Sequence, residues 1–146
     1  MSVLTPRTLI TATALLLALP SAQGHHAFTA EFDANAPVLL EGEVTKVEWV
    51  NPHAWVHLAA ENEDGTTTAW MVEGGTPNTL FRTGITKKSL AIGTRIKVRG
   101  YQSKDYLCKP ACKANGRDVT LADGRKLFMG SSGTGAPRDG ADPRER

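Results

Sequence analysis

The sequence predicts a small, mainly β domain, and three observations support this prediction. Apolar and β-branched residues recur in short alternating runs along the central part of the chain. Turn-forming dipeptides separate these runs, the clearest being NP at residues 51–52 and DG at residues 64–65. A single stretch, residues 76–84, has the signals of a helix. With 146 residues, the chain has room for one such domain and short extensions.

Residues 1–24 are predicted to form a secretory signal peptide. Arg7 supplies a short basic segment, and the apolar run that follows it is too short to span a bilayer. Ala22 and Gly24 occupy the −3 and −1 positions of a cleavage site, so the mature chain would begin at His25. Cleavage after Ala22 and an uncleaved anchor are the alternatives. A cleaved signal predicts a periplasmic protein whose mature form has no membrane span.

The charge of the chain argues against one class of partner. The formal net charge is only +2 at pH 7. A field this weak gives no basis for recruiting nucleic acid or anionic lipid. Export also separates the protein from nucleic acid, which is therefore not an expected partner.

Three strands are predicted before the helix, and an N-terminal arm without clear periodicity, residues 25–37, precedes them. The first strand starts at Val38, and Gly42 within it indicates a bulge or a sharp bend. The second strand starts at His53 and alternates between two faces. Its apolar face carries Ala54, Val56 and Leu58. The third strand covers residues 67–75.

The helix predicted after the third strand has recognisable ends. Thr76 can cap it, Pro77 suits its first position, and Gly84 is placed to end it. A fourth strand follows, then a loop with two cysteines, and then a final strand or hairpin bent at the DG dipeptide of residues 123–124. Residues 130–146 are rich in Gly, Pro, Ser and charge, so they are predicted to form a disordered tail.

This order of elements predicts the architecture of the domain. Three strands, a helix and two further strands, with a long first strand bent at a glycine, match a small five-stranded Greek-key barrel of the OB type. The one short helix then lies between strands 3 and 4, and the barrel covers residues 38–129. Another small β-barrel or a β-sandwich is the alternative.

The histidines fall in two places, which suggests a metal site. His25 and His26 lie at the predicted mature terminus, and His53 and His57 lie in the segment NPHAWVHL. A terminal histidine offers its α-amine and its ring nitrogen to one ion, and a third nitrogen completes a set suited to copper. The alternative is that the pair is an exposed dipeptide without a specific role. Four acidic residues could orient an imidazole: Glu31, Asp33, Glu48 and Glu73.

The two downstream histidines cannot both bind the same ion if they lie on a strand. Four residues of strand span roughly 13 Å, whereas metal–ligand bonds are about 2 Å long. His53 follows the NP turn at a strand end, where a ligand is accessible, so it is the preferred partner of His25 and His26. His57 is a second-tier candidate because it lies within the strand. Phe28 and Phe32 could anchor the arm to the barrel.

Several segments of the chain resemble those of an uncharacterised family of small exported bacterial proteins. The resemblance lies in four segments: the start HHAF, the NPH turn, the helix start EGGTPNTL and the strand LAIGTRIKVRG. The resemblance covers roughly residues 25–130 and implies an OB-like barrel but no established activity. The matching motif positions are His25, His26, Phe28, Asn51, Pro52, His53, Gly75, Pro77 and Gly93. The insertion with the two cysteines is not part of the family pattern.

Cys108 and Cys112 allow three interpretations. In an oxidising compartment a local disulfide is the default, and closing so short a loop would stabilise the fold by about 2 kcal/mol. A soft-metal site and a redox centre are the alternatives. A redox pair usually follows the C-x-x-C spacing at a helix start, which CKPAC does not match.

Three functions remain open at this point. The first is a periplasmic protein that binds a transition metal, with copper preferred to zinc, and that has a metal-handling rather than a catalytic role. The second is a non-catalytic OB-type module that binds a small ligand or a periplasmic protein partner without metal. The third is a copper-dependent redox enzyme, which only the analogy with oxygenases that use an N-terminal histidine supports.

Overall fold

The structure is a computed structural model that describes residues 25–130, and for residues 25–27 it describes the backbone only. The predicted signal peptide and, apart from Gly130, the predicted tail lie outside the described residues. Within the described chain, no helix is both long and apolar enough to cross a membrane.

The described chain forms six strands and two short helices, which confirms the prediction of a mainly β domain. In chain order they are α1 (His25–Glu31), β1 (Phe32–Glu48), β2 (Trp55–Glu61), β3 (Thr67–Glu73), α2 (Pro77–Thr83), β4 (Arg95–Ser103), β5 (Cys112–Thr120) and β6 (Lys126–Phe128). The sixth strand exists because the chain reverses at Gly124, where φ is +83°, and returns beside β5. Five strands were expected.

The strands form one sheet that returns on itself. Its order is β3-β2-β1-β4-β5-β6, with antiparallel pairing between neighbours. An additional parallel pairing joins β3 to β5, from Trp70 opposite Cys112 to Glu73 opposite Asn115. This pairing brings together two strands that are about forty residues apart in the chain, and it closes the sheet into a ring.

The long first strand pairs with β2 and β4 at the same time, and Gly42 makes this possible. Gly42 lies opposite Ala60 on one side and Ile96 on the other. A Cβ atom at this position would lie 2.0 Å from the carbonyl oxygen of Ala59, so only glycine fits. The break in register expected at Gly42 lies instead between Val44 and Lys46. The glycine therefore allows close strand approach, and the irregularity follows two residues later.

The interior of the ring is apolar. The predicted inward face of β2 is confirmed, because Ala54, Val56 and Leu58 are buried in the main hydrophobic cluster. Aliphatic residues from the other strands and from the α2 region complete this cluster: Leu40, Val44, Val72, Leu80, Ile85, Leu90, Ile96, Val98 and Val119. Burial of this apolar surface is the main source of stability for a domain of this size.

Helix α2 has the ends that the sequence indicates. The side chain of Thr76 accepts a hydrogen bond from the backbone N–H of Thr79, and Gly84 ends the helix in the left-handed conformation. Leu80 is buried in the core, whereas Phe81 remains 43% exposed and stacks on Trp49 with ring centroids 5.1 Å apart.

The start of the described chain is more ordered than the predicted arm. Residues 25–31 form α1, and the sheet already begins at Phe32. Phe28 and Phe32 are each 2% exposed and form a second apolar cluster with Tyr101 of β4. The Phe28 ring meets Tyr101 edge-on at 5.5 Å. The proposed anchoring role of the two phenylalanines is thus confirmed, and it attaches α1 to the sheet.

Candidate functional site

His53 lies at the entrance to β2, where the chain leaves the turn at Asn51 and Pro52. Two backbone hydrogen bonds fix this segment beside the end of β3: Gly74 donates to Ala54, and Ala54 donates to Gly75. The His53 ring is 30% exposed. Its Nδ1 atom lies 3.3 Å from the carbonyl oxygen of Gly74 and 3.6 Å from Oε1 of Glu73. The other ring nitrogen, Nε2, has no partner among the described residues.

Glu73 is a carboxylate on the outer face of the sheet that is nevertheless only 8% exposed. Its neighbour Val72 points into the core, so alternation along β3 directs Glu73 outward. The amide Nδ2 of Asn115, opposite it on β5, donates to Oε1 at 3.3 Å. Burial raises the pKa of the Glu73 carboxyl above its ordinary value, and interactions with His53, Asn115 and Lys113 partly offset that shift. Glu73 is therefore a buried acid with few compensating partners.

The polar group next to Glu73 is also incompletely satisfied. Asn115 is 3% exposed, and its Oδ1 atom is buried without a hydrogen-bond partner among the described residues. Buried polar atoms are almost always paired, because leaving one unpaired costs about 1–3 kcal/mol. Glu73 and Asn115 thus form a buried polar pair on the outside of the sheet.

The end of α1 lies beside this polar pair. Glu31 raises the pKa of Glu73 electrostatically, and its own carboxylate lies 3.7 Å from Nζ of Lys113. Lys104 holds the same helix end, because its backbone N–H donates to the carbonyl of Glu31 at 2.8 Å and its Nζ donates to the carbonyl of Thr29. The ion pair with Lys113, two residues before Asn115 on β5, therefore brings the end of α1, within the predicted arm, to the face of the sheet that carries Glu73.

The remaining sequence candidates have different positions. His25 and His26 belong to the first turn of α1, but their side chains lie outside the described ones. His57 lies within β2, and its Nε2 is 3.2 Å from Oε1 of Glu48. Among the described side chains, no three from His, Cys, Asp and Glu form a group that could hold a metal ion. A metal site at His53 would therefore need donors from outside the described side chains.

The acidic residues predicted to orient an imidazole have different partners in the structure. Glu73 is the carboxylate beside His53, and Glu48 is the one beside His57. Asp33 instead accepts a hydrogen bond from the hydroxyl of Tyr106 at 2.6 Å, and this bond holds its pKa below the usual value. Asn115 was missed by sequence reasoning, since only the non-local pairing of β3 with β5 places it against Glu73.

The cysteines form a disulfide, as the sequence predicts for an oxidising compartment. The two sulfur atoms of Cys108 and Cys112 lie at bonding distance, 1.92 Å. The bond closes the loop that joins β4 to β5, between Tyr106, which contacts Asp33, and Lys113, which contacts Glu31. Because both thiols are joined, this state of the protein has no thiolate ligand to offer a metal.

Comparison with known proteins assigns the chain to a family. The model of a family of unknown function, DUF6152, matches residues 14–109, which is about two thirds of the sequence. The chain belongs to the DUF6152 family. The DUF6152 match includes α1, His53 and Glu73 and ends before Cys112 and Asn115. The uncharacterised character of the family agrees with the resemblance described above.

Comparisons with curated proteins and with solved structures add no function for this chain. A search of the curated proteins finds no match to this DUF6152 chain. Among solved structures, the chain is similar to the dimeric N-terminal domain of PriB protein from Thermoanaerobacter tencongensis. The sequence identity is 22%, the TM-score is 0.41, and the match covers 60% of this chain and 97% of that one.

Proposed function

We propose that this DUF6152 protein is exported to the periplasm and binds copper there through the start of its mature chain and His53. Cleavage after Gly24 would make His25 the first residue, with a free α-amine. His25 would then supply the α-amine and a ring nitrogen, His53 a second ring nitrogen, and His26 a further ligand or an orienting group. The role is metal handling, without a catalytic step.

One observation carries this proposal: His53 and the end of α1 lie on the same outer face of the sheet. Nδ1 of His53 lies 3.6 Å from Oε1 of Glu73, and the carboxylate of Glu31 lies 3.7 Å from Nζ of Lys113, two residues before Asn115 on β5. A helix of seven residues is short, and its first and last Cα atoms are separated by about 9 Å along the axis. The predicted amino terminus is thus about two helical turns from Glu31, which pairs with Lys113 on β5.

The chemistry of these donors favours copper. Amine and imidazole nitrogens suit Cu(II), which has the highest affinity in the divalent series for such ligands. Zinc is the second candidate, because it also accepts imidazole and usually takes four ligands. The anchoring of α1 through Phe28 supports either metal, since an ordered terminus loses less conformational entropy on binding than a free one.

We further propose that the domain is of the OB type. The ring formed by β1, β2, β3, β5 and β4, with α2 between β3 and β4, supports this assignment. Strand β6 and helix α1 are then additions to a five-stranded barrel. In such barrels, ligands bind on one face and in the loops between strands. His53 lies in the loop between β1 and β2.

A paired substitution tests the proposed function. We expect His53→Ala to weaken Cu(II) binding by at least about tenfold, or ~1.4 kcal/mol, because one ring nitrogen is lost. His57→Ala is the matched control and should bind copper as the wild type does, since its Nε2 already faces Glu48. The measurement is competitive titration of the mature protein, starting at His25, against a chelator of known affinity. Equal losses in the two variants, or none in His53→Ala, would remove His53 from the site.

A further inference from the structure

We infer that Glu73 is the positioning residue that orients the ring of His53, so that a metal binds at Nε2. This inference rests on the proposed function, which it extends by naming the binding nitrogen of His53 and the group that selects it. Glu73 itself is not a metal ligand. It acts through the imidazole, together with the carbonyl oxygen of Gly74.

The hydrogen-bonding partners of the His53 ring indicate which of its nitrogens carries the proton. A neutral imidazole carries its proton on one nitrogen and has a lone pair on the other. Nδ1 of His53 is within hydrogen-bond distance of the carbonyl oxygen of Gly74, at 3.3 Å, and Oε1 of Glu73 lies 3.6 Å from it, within ion-pair range. Oxygen acceptors on that side favour a proton on Nδ1. The lone pair then lies on Nε2, the nitrogen without a partner among the described residues. Histidine ligands in metal sites commonly have this arrangement.

The negative charge on Glu73 is only partly compensated. Its buried carboxylate accepts one hydrogen bond, from Asn115, and the Lys113 ammonium, which lies 3.7 Å from the carboxylate of Glu31, acts on Glu73 through space without a direct contact. Burying a carboxylate is costly unless positive charge or hydrogen bonds compensate it. A cation bound at Nε2 makes the imidazole a stronger donor at Nδ1 and brings positive charge towards Glu73. The carboxylate and the metal therefore stabilise each other through the ring.

His53 and His57 differ in which ring nitrogen faces a glutamate. His57 is also paired with a glutamate, but Glu48 faces its Nε2 at 3.2 Å. Glu48 also forms an ion pair with Lys46 and has a third of its side chain exposed, so its charge is already compensated. The two histidine–glutamate pairs thus differ in whether Nε2 of the histidine is accessible. Glu73 leaves the Nε2 of His53 accessible, whereas Glu48 occupies the Nε2 of His57.

The test combines Glu73→Gln, which keeps the size and removes the charge, with Glu48→Gln as the matched control. We expect Glu73→Gln to weaken Cu(II) binding by about 10–100-fold, the usual effect of losing such a partner. Glu48→Gln should bind as the wild type does, and Glu73→Asp should recover part of the loss. Far-UV circular dichroism and thermal unfolding establish that each variant is folded.

A second readout needs no metal and separates this inference from the proposed function. Nitrogen-15 NMR of the metal-free mature protein, at a pH where imidazole is neutral, reports which ring nitrogen of His53 carries the proton. We expect the Nδ1–H form in the wild type and a larger share of the Nε2–H form in Glu73→Gln. An Nε2–H form in the wild type, or copper binding unchanged by Glu73→Gln, overturns the role of Glu73. If the role of Glu73 is overturned but His53→Ala still weakens copper binding, the proposed function stands without a role for Glu73.

Discussion

Replacing Phe28 with alanine is expected to destabilise the protein by about 3 kcal/mol and to release α1 from the sheet. The Phe28 ring is 2% exposed, and its contacts are with Phe32 at 5.8 Å and Tyr101 at 5.5 Å between centroids. Truncating a buried phenylalanine typically costs 3–5 kcal/mol, and the lower end applies because this cluster is small and separate from the main core. Denaturant unfolding of wild type and variant measures the loss.

Phe81→Ala is the matched control for this substitution. Phe81 is also an aromatic residue in a stacked pair, but it is 43% exposed, so its removal should cost only about 1 kcal/mol. Hydrogen exchange of the backbone amides in residues 28–31 distinguishes local release from global loss. A Phe28→Ala protein in which those amides stay as protected as in the wild type would contradict the anchoring role of Phe28.

Extending the mature chain by four residues before His25, so that neither His25 nor His26 becomes the third residue, where a histidine chelates Cu(II) with the new terminus, is expected to weaken Cu(II) binding by at least about 100-fold, or ~2.7 kcal/mol. The extension turns the α-amine of His25 into an amide nitrogen, which is no longer a basic ligand. It leaves all side chains and the fold unchanged, so the effect separates chelation at the terminus from binding by imidazoles alone. The measurement is competitive copper titration of the two forms, each released from a fusion by a protease with a defined cut.

The control for the extension is stability. Without metal, the extended and mature forms should unfold at the same denaturant concentration. With copper in excess, only the mature form should be markedly stabilised, because a ligand that binds the folded state shifts its unfolding equilibrium. Equal copper affinities in the two forms would exclude the terminal amine as a ligand.

Local signals in the sequence were sufficient for most single elements. Thr76, Pro77 and Gly84 fix the two ends of α2 through capping and backbone preferences that involve only neighbouring residues. Alternation in β2 identified the buried face, because the period of a strand does not depend on its partners. The helix at residues 25–31 was missed, since tertiary contacts of Phe28 rather than a regular apolar pattern hold it in place.

The candidate site depends on contacts that local patterns do not encode. Four acidic residues were equivalent in the sequence, and only the register of β2 against β3 places Glu73 beside His53. Asn115 reaches Glu73 through the parallel pairing of β3 with β5, which has no sequence signature of its own. Gly42 was recognised as unusual, but the reason, a close approach to Ala59, required the pairing partner to be known.

The proposed function requires that the mature amino terminus and His53 bind the same copper ion. A crystal structure of the copper-loaded protein starting at His25, with anomalous diffraction recorded at the copper edge, tests it most directly. We expect one anomalous peak, bonded to the α-amine and ring of His25 and to Nε2 of His53. A copper ion bound away from His53, or bound to His53 without the terminal amine, would contradict it.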